Sequence, residues 1–172
     1  IDNQLTYMSK TIDDFRDFFI PNKRKVNFSI SKAIGSVYNL LSPQFKSHNI
    51  NITIESESII VSGYQNEFIQ VIINILNNAK DAILTKQRKH RYITIKVTKN
   101  KEKSALITIS DNGGGINDEI IEKIFDPYFT TKFKSQGTGI GLYMSKMIIE
   151  KSMLGELKVE NSKDGAIFKI LI

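Results

Sequence analysis

The sequence predicts an α+β fold, a two-layer α/β sandwich of helices on a mainly antiparallel sheet. Three observations carry this. Two long stretches, residues 30–47 and 67–83, space their apolar side chains at the 3.6-residue period of an amphipathic helix. Short stretches such as 50–54, 92–98, 104–110 and 166–171 alternate apolar and polar residues, the period of a half-buried strand. Turn-forming residues such as Asn100 and Lys163-Asp164-Gly165 separate successive strands, as in hairpins. With 172 residues, 41% apolar and 24% charged, the chain has the composition of a globular protein with one good core.

The elements follow in order. Ile1, Leu5, Met8, Ile12, Phe15 and Phe19 form a heptad seam on an N-terminal helix that ends at Pro21. A helix this short is marginal alone, so its stripe needs a partner. Residues 21–28 read as a basic connector. Ser29 caps the next helix, which carries Ile30, Ala33, Ile34, Val37, Leu40, Leu41 and Phe45 inward, with Pro43 placed to kink or shorten it. Strands at 50–54 and 58–61 precede the second long helix. Strands at 92–98 and 104–110 form a hairpin, Asn117 caps a short helix through Ile124, and 126–136 reads as a lid. A further amphipathic helix covers 138–153, and strands at 157–160 and 166–171 close the fold.

Composition narrows the partners. Lys and Arg exceed Asp and Glu by 24 to 18, for a net charge of +6, but the basic residues are scattered except in Lys86-Gln87-Arg88-Lys89-His90-Arg91, which reads as a solvated loop rather than a nucleic-acid site. There are no cysteines, which excludes disulfides and Cys-based zinc. No apolar run reaches membrane-spanning length, no signal-peptide pattern opens the chain, and a start at Ile1 reads as a fragment.

Four segments carry chemistry. Asp111-Asn112-Gly113-Gly114-Gly115-Ile116 places a carboxylate at the end of an apolar strand, before three glycines that let the backbone approach a ligand closely. A buried acid needs a partner, and an acceptor-only carboxylate suits an exocyclic amine such as that of adenine. Asn74, Asn78 and Asp81 recur at i, i+4, i+7 on one stripe of the second long helix; asparagine is a mediocre helix former, whereas its amide oxygen is a hard ligand for Mg²⁺. Ile124-Phe125-Asp126-Pro127-Tyr128-Phe129-Thr130-Thr131-Lys132 comes next. Gly137-Thr138-Gly139-Ile140-Gly141-Leu142 then opens a helix, where backbone N–H groups can meet phosphate.

In this order and spacing the segments resemble the asparagine, first glycine, phenylalanine and second glycine boxes of sensor histidine kinases, over roughly residues 64–172. The resemblance implies the Bergerat-type ATP-binding fold shared with gyrase, MutL and a heat-shock chaperone. It implies ATP and Mg as cofactors, with Asn78 on the metal and Asn74 near the phosphates, and it puts Asp81 beside them. It gives Asp111 to adenine, with Gly113, Gly115 and Ile116 in the pocket wall. Phe125, Lys132, Gly137, Thr138, Gly139, Gly141 and Leu142 complete the nucleotide set, with Lys132, Asn74 and Asn78 as the catalytic candidates. The hydrolysing relatives carry a glutamate where Asn74 stands; an amide cannot take a proton from water, which favours transfer to an external nucleophile.

The resemblance further implies that residues 1–20 end the second helix of a dimerisation and phosphoacceptor hairpin, that 29–172 form the catalytic domain, and that the acceptor histidine lies outside this chain. His48 and His90 lack the acceptor setting and read as surface residues. The implied partners are ATP, a response-regulator receiver domain and the protein's own hairpin in a homodimer. The implied location is cytoplasmic, in a parent protein with or without a membrane anchor. An ATP-operated clamp and a nucleotide-binding module without catalysis are the alternatives.

Overall fold

The computed structural model describes residues 24–100, 104–132 and 137–172. The N-terminal heptad stretch and residues 133–136 of the lid lie outside them. Strand β1 (Val26–Ser29) leads into helix α1 (Ile30–Ser47), then β2 (Ile50–Ser56), β3 (Ile60–Gly63) and helix α2 (Gln65–Lys86). The hairpin β4 (Arg91–Lys99) and β5 (Ala105–Asp111) follows, then helix α3 (Gly141–Met147), β6 (Glu156–Asn161) and β7 (Ala166–Leu171). Five strands form one sheet in the order β2-β4-β5-β7-β6. All its pairs are antiparallel except β2 with β4, where β3 and α2 make the crossover a parallel pair requires. The α+β sandwich is therefore present.

The register explains the core. Ile95 pairs with Ile109, which pairs with Phe168; Val97, Ile107 and Ile170 form the next row. These side chains point to one face and are buried against Phe68, Val71, Ile72, Ile75 and Ile83 of α2 and Ile30, Ala33, Ile34 and Val37 of α1. Asp111 pairs with Ile93, so it extends the same inward row by one residue. Strand alternation thus aims a carboxylate at the helix layer.

Local chemistry sets the boundaries. The Ser29 hydroxyl accepts from Lys32 N at 3.4 Å and caps α1. Pro43 sits inside α1, and the helix continues to Ser47. The end of the basic connector differs from expectation: Val26–Ser29 is a strand, paired antiparallel with β3 in a separate two-stranded sheet, and Phe28 is buried beside Phe68. The apolar residue at 28 tips this short run into the core.

Two predicted helices are corrected. Asn117 does take a backbone N–H, from Glu119 at 2.9 Å, but the stretch after it advances as turns with i to i−3 bonds and reaches only a 3₁₀ helix at Lys123–Phe125. The helix expected over 138–153 begins at Gly141, because Gly139 has φ +68° and cannot belong to a right-handed helix. From Ile148 to Ser152 it widens into a π turn, with Met153 N bonding Ile148 O. Leu154 ends it in the left-handed conformation, φ +57°, with 80% of its surface exposed. Glycine adopts that conformation without a Cβ penalty. Leu154→Gly is expected to stabilise the fold by about 1 kcal/mol in chemical denaturation, since little burial is lost.

Candidate functional site

Asp111 is 5% exposed at the end of β5. Its Oδ1 accepts from Gly113 N at 2.7 Å and from Ala166 N at 3.4 Å; among the described residues no hydrogen bond falls on Oδ2. Burial pushes the Asp111 carboxyl above the usual carboxylate range, and the two backbone bonds partly oppose that. Two glycines make the geometry possible. A Cβ on Gly113 would lie 2.7 Å from the Ala82 Cβ of α2, and one on Gly165 would overlap the Asp111 backbone. Ala166 brings no hydroxyl here, and its main-chain N–H serves the carboxylate instead.

The glycine loop that follows is braced from three sides. Gly114 and Gly115 have φ of +88° and +75°. Gly114 N donates to Asp164 O in the β6–β7 turn at 2.9 Å. Asn112, buried, accepts from Tyr92 N at 3.0 Å and donates to His90 O at 2.7 Å, tying the loop to the start of β4. Asn161, at the end of β6, accepts from Ile116 N at 2.8 Å and donates to Ile116 O at 2.6 Å. Sequence reasoning missed both asparagines. Asn112 sits inside the glycine motif itself; nothing around Asn161 marks it, since its partners are 45 residues away.

The basic run 86–91 is exposed through residue 90 and half-buried only at Arg91. Lys86 belongs to α2 and lies over Gly114, Gln87 ends the helix at φ +50°, and Arg91 donates to His48 O at 2.7 Å. Both histidines take part here through their carbonyl groups.

Helix α2 supplies the polar stripe. Asn74 Nδ2 donates to Gly141 O and to Ser145 Oγ, each at 3.3 Å, and Ser145 Oγ donates to Gly141 O at 2.8 Å. Asn74 therefore fastens the start of α3 to α2. One turn on, Lys132 Nζ donates to Asn78 Oδ1 at 3.1 Å and to Asp81 Oδ2 at 2.6 Å, and Lys80 Nζ lies 3.7 Å from Asp81 Oδ1. Lys132 thus reaches the stripe, a placement the sequence left undetermined.

The second glycine segment packs beside the phenylalanine segment. A Cβ on Gly137 would lie 2.9 Å from Thr130 Oγ1 and 3.2 Å from Lys132 Cβ, and one on Gly139 would overlap the backbone of Tyr128, itself at φ +66°. Thr138 Oγ1 accepts from Ile140 N at 3.3 Å. Phe125 stands edge-on to Phe168 at 6.5 Å, with Lys146 Nζ 4.8 Å above its ring; Ile116 and Leu142 also pack on the core.

The structure joins a subset of the predicted residues through α2. Asp111 and Gly113 meet α2 at Ala82, next to Asp81, and Asn78 and Asp81 share Lys132. Asn74 and Gly141 are joined. Among the described residues, no three His, Cys, Asp or Glu side chains come together. The oxygens that converge on one cation are Asn78 Oδ1 and Asp81 Oδ2, with Lys132 as that cation. Such a donor set fits Mg²⁺, which takes few protein ligands and keeps water.

Comparison with known proteins identifies the family to which the fold belongs. Residues 63–172 match the model of the histidine kinase-, DNA gyrase B- and HSP90-like ATPase family. The chain is 33% identical over 142 residues to the two-component sensor PprA of Pseudomonas aeruginosa, covering 80% of this chain and 15% of that protein. It is 34% identical over 152 residues to sporulation kinase A of Bacillus subtilis, covering 87% and 24% respectively. It therefore spans at most about a quarter of those two relatives. Among solved structures, the catalytic domain of histidine kinase ThkA superposes with a TM-score of 0.77 at 30% identity, covering 87% of this chain and 95% of that one. ThkA in complex with the response regulator TrrA superposes at 0.79 with 25% identity, covering 99% and 48%. The chain belongs to the histidine kinase-, DNA gyrase B- and HSP90-like ATPase family, as a domain of the kind found in sensor histidine kinases.

Proposed function

We propose that the chain binds Mg-ATP and presents its γ-phosphoryl group to a histidine on a helical hairpin, as the catalytic domain of a two-component sensor kinase. The observation that carries this is Asp111, a buried carboxylate with one oxygen held by two backbone N–H groups and the other free of bonds from the described residues. Oδ2 is the acceptor an adenine amino group needs, and the glycine loop beside it lets a flat ring approach the backbone. Asn78 would hold the metal through its amide oxygen, and bound Mg²⁺ would neutralise phosphate charge. Gly137, Gly139 and Gly141 offer backbone donors to the phosphates.

Asn74 supports transfer over hydrolysis. Its amide is a donor to Gly141 O and Ser145 Oγ, and an amide has no basic site with which to take a proton from water. This weighs against the clamp reading. Residues 1–20 are assigned to the hairpin; the linker expected over 21–28 is shortened by β1, whose residues 26–29 join the catalytic domain that runs on to 172. A response-regulator receiver domain is the proposed partner, by analogy with the ThkA complex. None of the described helices is long and apolar enough to cross a membrane. The reading places the domain in the cytoplasm, where ATP is found, whether or not the parent protein carries a membrane anchor.

Thermal unfolding with ATP, with and without Mg²⁺, tests the reading. Ligand at about a hundred times its dissociation constant stabilises by about 2.7 kcal/mol. Asn78→Ala is expected to keep the shift seen without metal and to lose the increment that Mg²⁺ adds. A folded wild-type protein whose midpoint ignores saturating ATP would remove the proposal.

A further inference from the structure

Lys132 is neither loose in solvent nor placed at random. Its side chain is 32% exposed, and its ammonium touches the two α2 oxygens that converge at this point, Asp81 Oδ2 at 2.6 Å and Asn78 Oδ1 at 3.1 Å. Those residues stand at i and i+3, on adjacent turns of one helix face. The lysine is seated from behind. Its own N–H donates to Thr130 Oγ1 at 3.1 Å, and its Cβ and Cδ pack where a Cβ on Gly137 would come within 3.2 Å of each, so a side chain at 137 would crowd it. Asp81 also has Lys80 3.7 Å from its other oxygen, so two ammonium groups already share one carboxylate.

We propose that Lys132 is an exchangeable counter-ion: its ammonium occupies the Asn78 and Asp81 oxygens that a divalent cation would use, and it withdraws when that cation arrives. The physical reason is charge. An ammonium and a dication on the same oxygens would sit a few ångström apart in a partly buried place, where repulsion is weakly screened. Lys132 is the point at which the described stretch from Asp126 on is tied by hydrogen bonds to α2, so its withdrawal also removes that tie, while Phe129 stays packed on the core. Metal arrival and loop position are then coupled, and by linkage the coupling is reciprocal: whatever holds the segment down weakens the metal. This inference rests on the proposed role of Asn78, but concerns the lysine.

The test follows Mn²⁺ by its paramagnetic signal, first with metal alone and then with a non-hydrolysable ATP analogue. Lys132→Met removes the ammonium and keeps the length of the chain; Lys80→Met removes the neighbouring charge that does not touch Asn78. Exchange predicts that Lys132→Met tightens Mn²⁺ alone by about 5- to 10-fold, with Lys80→Met changing it by less than about 2-fold; with the analogue present the gain is smaller, because the same ammonium is also lost to the phosphates. Unchanged or weaker Mn²⁺ binding in Lys132→Met overturns the proposal. So does an equal gain in both variants, which would mean a general field and no shared site. The arm with Mn²⁺ alone remains decisive if the analogue fails to bind, so loss of the nucleotide reading and loss of the exchange are told apart.

Discussion

Asp111→Asn is expected to weaken adenine-nucleotide binding by about 10- to 150-fold, the worth of one hydrogen bond to a charged group. The asparagine keeps the shape, and its oxygen can still accept from Gly113 N and Ala166 N. The second oxygen becomes an NH₂, a donor facing the donor on adenine. The free protein should respond in the opposite sense. Burial raises the Asp111 pKa in the folded state, so the native protein holds this proton more tightly than the unfolded chain. As pH rises from the usual carboxylate range through the raised value, stability from this group is lost, and above it the buried charge costs its full amount. Asp111→Asn removes that cost. Denaturant titrations should therefore find the variant more stable at neutral pH and no more stable in strong acid. In the wild type, nucleotide affinity should fall as pH drops through the same raised value, because the protonated acid is a poorer acceptor. Undiminished nucleotide affinity in Asp111→Asn would end the assignment of Asp111 to adenine.

Gly165→Ala should be the most damaging single methyl group in the domain's turns. The added Cβ would overlap the Asp111 carbonyl and crowd its Oδ1, at a buried position between paired strands. Backbone is the obstacle and cannot rotate away, so the cost is expected at or above the upper end for overpacking, about 3 kcal/mol. The carboxylate would be displaced as well, so ATP should no longer shift the melting midpoint. Gly35→Ala supplies the comparison. It lies within α1 with no atom within 4 Å of its prospective Cβ, and should stabilise by about 0.5–1 kcal/mol through helix propensity. If Gly165→Ala melts like the wild type, the packing of the turn on Asp111 is looser than described.

What the sequence revealed, and what it hid, follows from the range of the interactions. The helices α1 and α2 and the strands β4, β5 and β7 were legible because burial imposes a period on adjacent residues. Asp111 was legible because a charge interrupted such a period. Strand β1 was hidden, since a four-residue run just after a proline and three basic residues carries too little pattern, and its pairing with β3 is decided by residues more than thirty positions away. The π turn was equally hidden: it depends on how Ile148 and Ile149 are both buried at once, a packing result with no local signature. The contacts of Asn74 and Asn112 with backbone, and of Lys132 with α2, join residues distant in the chain, so composition and spacing could name these residues without saying what they touch.

Strand β7 comes last of the strands in chain order, yet it lies inside the sheet, between β5 and β6. During synthesis the edge of β5 must wait, unpaired, until β7 has been made and can slot in beside it. The Ala166 N–H that steadies Asp111 arrives with the same strand. A nascent chain halted before this point would hold α2, its asparagines and the glycine loop, and still lack the backbone donor from Ala166 on Asp111. It would also present an open apolar strand to whatever chain lies nearby. Under the proposed function, ATP added to a refolding mixture should rescue only chains that have already placed β7.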